Sequence, residues 1–66
     1  MSKATEAFDE IEEKVRELVT LVQELRLNLA LGERQRAQQA LKKAREAVNE
    51  ITVLLNEVRV DALEQD

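Results

Sequence analysis

Apolar residues recur along this chain in alternating steps of four and three, in two runs separated by a break. The first run is Ala4, Phe8, Ile11, Val15, Leu18, Val22, Leu25 and Leu29. The second is Ala37, Leu41, Ala44, Val48, Ile51, Leu55, Val58 and Ala62. Such spacing keeps one stripe of a helix turned toward a partner helix, the a and d positions of a heptad. Continued past Leu29, the first run would meet Gly32, Arg36 and Gln39, so the stripe ends there. Gly32 is the only glycine, and a glycine just beyond the last apolar position is a usual helix stop. The pattern predicts a single domain over 1–66: helix one over about 3–31, a turn over about 32–34, and helix two over about 34–63.

Two facing stripes and a short turn predict an all-α fold, an antiparallel two-helix hairpin. If the a and d stripes face each other, Leu29–Ala37, Leu25–Leu41, Val22–Ala44, Leu18–Val48, Val15–Ile51, Ile11–Leu55, Phe8–Val58 and Ala4–Ala62 pair at a constant index sum of 66, with no polar member. Ser2 is the expected cap of helix one. Helix two has no Ser, Thr, Asp or Asn to cap it, and Arg34 and Arg36 sit against its positive end. Asp61, Glu64 and Asp66 are unfavourable at its C-terminus, so its last few residues are expected to fray.

The positions beside the stripe widen it on one side. The g positions read Ala7, Lys14, Leu21 and Asn28, then Ala40, Ala47, Leu54 and Asp61. The e positions read Thr5, Glu12, Val19 and Arg26, then Gln38, Arg45, Thr52 and Arg59. A stripe wider than a and d is the pattern of helices in bundles. The expectation is that Ala7, Leu21, Ala40, Ala47 and Leu54 form an outer interaction face that packs on a second hairpin or another helical protein partner. A homodimeric four-helix bundle is the economical assembly. Leu27, Val53 and Val60 fall at f, and this scheme gives them no role.

Charge refines the assembly. The net charge is −4, yet residues 33–45 carry a local +4 from Arg34, Arg36, Lys42, Lys43 and Arg45 against Glu33. The turn end is therefore basic and the end holding the termini acidic. Two hairpins packed head to tail would bring opposite charges together.

Composition mostly excludes. Charged residues make up 36% of the chain and aromatics 2%, the make-up of long helices. Without cysteine there is no disulfide or thiolate chemistry. Without histidine the commonest metal ligand and general base are missing. Glu10, Glu13 and Glu17 share a helix face, but a solvated acidic face is the plainer account than a metal site. Ser2, Thr5, Thr20 and Thr52 have no base to activate them. No enzyme activity, cofactor or metal is expected. No apolar window is long enough for a membrane span, and Met1-Ser2-Lys3-Ala4 lacks a signal-peptide core, so the expected location is cytoplasmic.

The remaining chemistry is the basic turn-end patch of Arg26, Arg34, Arg36, Lys42, Lys43 and Arg45, a feature of nucleic-acid binders. In shape and length the hairpin is similar to the small plasmid-encoded RNA-binding hairpin dimers, a resemblance that implies RNA as an alternative partner. Phe8 is the only aromatic and belongs to the stripe, leaving nothing to stack on bases. Leu21 to Leu31, Gly32 and the glutamine-containing stretch 35–39 loosely resemble the small hairpin subunits of type III secretion needle chaperones. That resemblance implies an apolar face holding a larger helical partner. The functional expectation is a small non-enzymatic interaction module, an adaptor, chaperone or regulator.

Overall fold

The computed structural model describes residues 3–58 of the 66-residue chain. Helix α1 spans Lys3–Ala30 and helix α2 spans Arg34–Glu57. They pack along their length as an antiparallel hairpin, the fold class that the heptad spacing predicts. Among the described residues no helix is long and apolar enough to cross a membrane.

The turn is built by the backbone. Gly32 has φ +74°, the left-handed conformation that side chains disfavour. Its N–H donates to the Leu29 carbonyl at 3.2 Å, and the Glu33 N–H donates to the Asn28 carbonyl at 2.8 Å. This pair of bonds is a Schellman closure, and it satisfies carbonyls left open at the end of α1. Glu33 occupies the N-cap of α2 without a side-chain hydrogen bond, as the missing capping residue predicts. The Ala37 N–H then donates to the Glu33 carbonyl at 2.9 Å and starts the second helix.

At its far end α2 stops at Glu57, where Val58 turns to extended backbone and donates its N–H to the Leu55 carbonyl at 3.2 Å. The sequence reading carried this helix on to about Leu63. Residues 59–66, with Val60, Asp61 and Ala62, lie outside the described residues, as do Ser2 and its expected cap.

The helices meet along a seam of small residues. Ala37, Ala40, Ala44 and Ala47 of α2 are each no more than 7% exposed. Leu21 of α1, also 7% exposed, packs with Ala44 and Ala47, and Leu18 lies against that cluster. The enclosed and half-enclosed positions of the two helices fall in step. Asn28 matches Ala37, Leu25 matches Ala40, Leu21 matches Ala44, Leu18 matches Ala47, Lys14 matches Ile51, Ile11 matches Leu54, and Ala7 matches Val58. Every such pair has an index sum of 65 and sets a d position against a g position.

This corrects the expected a-to-d pairing at 66. The reason lies in α2. Its d and g positions carry alanines at 37, 40, 44 and 47, whose methyl groups let two backbones approach closely while the leucines of α1 spread over them. Its a positions carry Leu41, Val48 and Leu55, which would hold the helices apart.

Candidate interaction surface

Because d and g turn inward, the a positions of both helices are left on one flank of the hairpin. In an antiparallel pair the same heptad position of each helix lies on the same side. That flank carries Phe8, Val15, Val22 and Leu29 from α1 and Leu41, Val48 and Leu55 from α2. All seven are large and apolar, and all are between 36% and 62% exposed. Val22, Leu41 and Val48 border one open groove floored by Leu18, Leu25 and Ala44. The groove continues toward the turn past Leu29 and Arg34.

The opposite flank is occupied by the c positions: Glu10, Glu17 and Glu24 of α1 and Arg36, Lys43, Glu50 and Glu57 of α2. Every one is charged. Lys14, at a g position inside the seam, reaches out to this flank. Its Nζ donates to Glu50 at 2.6 Å and to Glu17 at 3.4 Å. The hydrogen bond that Lys14 donates to Glu50 raises its pKa above the ordinary 10.5, partial desolvation opposes the rise, and the charges of Glu17 and Glu50 add to it. The four-carbon stem thus covers apolar surface while the ammonium stays in solvent. Asn28, the other polar g residue, is likewise satisfied by donating Nδ2 to the Glu24 carbonyl at 2.8 Å. Among the described residues no side-chain polar atom is buried without a partner.

The residues expected on an outer face lie between the two helices instead. Leu21, Ala40 and Ala47 are buried between the helices, and Ala7 and Leu54 are half-buried at the same contact. They form the hairpin's own seam, so the outer apolar face is the a flank instead. Two sequence features point to it in retrospect: the alanine spacing 37, 40, 44, 47, which is a seam in its own right, and the absence of any alanine at a between Phe8 and Leu55. Of the f positions, Leu27 and Val53 are exposed. Nothing in the hairpin explains Leu27, whereas Val53 lies beside Leu54 in a shallow hollow edged by Glu10, Lys14 and Glu50.

The basic residues Arg26, Arg34, Arg36, Lys42, Lys43 and Arg45 are all exposed but do not share one face. Arg26 and Arg45 fall at e, on the rim of the apolar flank, and Arg34 falls at the groove's turn end. Arg36 and Lys43 are on the charged flank. Lys42 lines a shallow hollow with Arg45 and Glu46, so an acid sits among them. The hydroxyls of Thr20 and Thr52 donate to the carbonyls of Arg16 and Val48 at 3.2 and 2.9 Å. Among the described residues no cluster of acidic side chains is placed to hold a metal ion.

The chain matches no protein-family model, no curated protein and no solved structure.

Proposed function

We propose that the hairpin is a non-enzymatic protein–protein interaction module, an adaptor, chaperone or regulator, which takes further helices on its a flank and closes a four-helix bundle. One observation carries this reading: seven large apolar side chains, all more than a third exposed, line one flank, while the c positions of the other are all charged. A contiguous apolar patch with a polar rim marks an interaction site on a small protein. The division of positions also fits a bundle. Each helix in a four-helix bundle touches two neighbours, so it uses two adjoining stripes. Here d and g meet the helix of the same chain, and a with d is left for a helix of another. A groove bordered by Val22, Leu41 and Val48 suits the ridge of a partner helix equally well in a self-assembly or in a chaperone-like complex.

The test is association of Val22→Asp and Val48→Asp variants. Both sites lie off the intramolecular seam. Sedimentation at tens of micromolar is expected to give an assembled wild type and monomeric variants. An unchanged assembly in both variants would refute the flank as the interaction site.

A further inference from the structure

The a flank is self-complementary in one orientation, and we infer from this that its partner is a second copy of the chain, inverted so that each turn lies over the other chain's open end. The inference rests on the flank being the interaction site and names what covers it. A two-fold axis can relate two hairpins face to face in two ways. In the head-to-tail way α1 crosses its own copy in reverse and α2 does the same. In the head-to-head way α1 crosses the other chain's α2.

Head to tail, the a positions of α1 pair as Phe8 with Leu29 and Val15 with Val22 of the second copy, at a constant index sum of 37. Those of α2 pair as Leu41 with Leu55, and Val48 meets itself on the axis. Each of these layers is apolar, and Arg34, the remaining a residue of α2, falls opposite position 62, outside the described residues. The e positions follow at the rim: Val19 meets itself near the axis and Glu12 meets Arg26, twice per dimer. The two helices place the axis independently, α1 midway between residues 18 and 19 and α2 at residue 48. Residue 48 stands level with residue 17 in the observed register, so the two positions agree to within about 2 Å along the bundle.

Head to head, the same flank fits poorly. The a positions then pair at a sum of 63, which opposes Leu29 to Arg34. At the rim Val19 meets Arg45, and Arg26 meets Gln38, so Glu12 and Arg26 are both left without a counter-charge. An isologous interface needs each contact to be repeated by symmetry, and only the inverted arrangement repeats good ones. It also sets the +4 stretch at residues 33–45 over the acidic end of the other chain.

The orientation is read by a nitroxide at Leu31→Cys, an exposed turn residue in a chain with no native cysteine. Head to tail the two labels are expected roughly 40 Å apart, from the helical rise over about 25 residues. A distance under about 20 Å would overturn the inverted dimer while leaving the flank as the interaction site. A folded wild-type monomer at hundreds of micromolar would overturn the second copy as partner. Assembly that persists in Val22→Asp would refute the flank itself. Charge exchange gives a second readout. Glu12→Arg alone and Arg26→Glu alone are each expected to weaken the dimer roughly three- to tenfold, and the double exchange to restore it. Singles that combine additively, with no rescue, would overturn the register.

Discussion

Leu21 and Val22 are adjacent in sequence and similar in hydrophobicity, yet the hairpin assigns them opposite duties. Leu21 is 7% exposed against Leu18, Ala44 and Ala47, whereas Val22 is 50% exposed on the outer flank. Leu21→Ala removes a buried side chain from a seam whose neighbours are already alanines. The cost of such a change runs from about 2 to 5 kcal/mol. The low end applies here, about 2–3 kcal/mol, because a two-helix seam is open at its edges and collapses readily. For a domain of this size that lowers Tm by roughly 10–20 °C.

The assay is thermal melting followed by circular dichroism at several protein concentrations. Association makes Tm rise with concentration. Leu21→Ala is expected to shift the whole series downward and keep its slope, because it weakens the hairpin rather than the contact between hairpins. Val22→Asp is expected to flatten the slope, because it removes that contact. The reverse outcome, a flattened slope for Leu21→Ala and a preserved one for Val22→Asp, would mean that a and d form the intramolecular seam, and would refute the d-to-g pairing.

Three smaller effects follow from local structure. Gly32→Ala meets no steric obstacle, with nothing within 4 Å of an added Cβ, but holds a side chain at φ +74°. It is expected to cost about 1–2 kcal/mol in denaturant unfolding, with Gly32→Asn costing less. Glu33→Asp shortens the uncapped N-cap side chain to a length that reaches the first N–H groups of α2. A gain of about 0.5–1 kcal/mol is expected in the same assay. Lys14 has a folded-state pKa above 10.5 because of Glu50 and then the neighbouring acidic charges. Its contribution is therefore complete below 10.5 and is lost as pH rises through the raised value. Alkaline titration of Tm is expected to show a decline in that window that Lys14→Met lacks.

The hairpin, its turn at Gly32 and the absence of a helix-two cap were all legible in the sequence, because each depends on local pattern. Heptad spacing fixes which side of a helix is apolar, and a lone glycine after Leu31 fixes where the chain reverses. What spacing leaves open is the direction in which a stripe three positions wide is turned. With a, d and g all largely apolar, either a or g can face outward. Ranking by hydrophobicity favours burying Phe8, Val15 and Val22 and leaves the g positions, Lys14 and Asn28 among them, for the outside. Both polar residues turn out to be accommodated at the seam, one by reaching Glu50 and Glu17 and the other by bonding the Glu24 carbonyl. Heptad letters carry no record of that reach.

Size decides between the two orientations. Contact area between two helices grows as their axes approach, and axes approach only where one side is small. The four alanines of α2 make d and g that side, and the leucines of α1 supply the volume. The same choice exports the larger residues. A seam that buries one leucine and four alanines leaves Phe8, Val15, Val22, Leu29, Leu41, Val48 and Leu55 facing water. Apolar area exposed in that quantity is unfavourable for an isolated chain of this length and favourable for any assembly that covers it. Close packing within the hairpin and a large apolar flank outside it are thus consequences of one arrangement of small and large side chains. A variant that enlarges the alanines, such as Ala44→Leu, acts on both at once: it pushes the helices of one chain apart and disturbs the spacing on which the flank's matching layers depend.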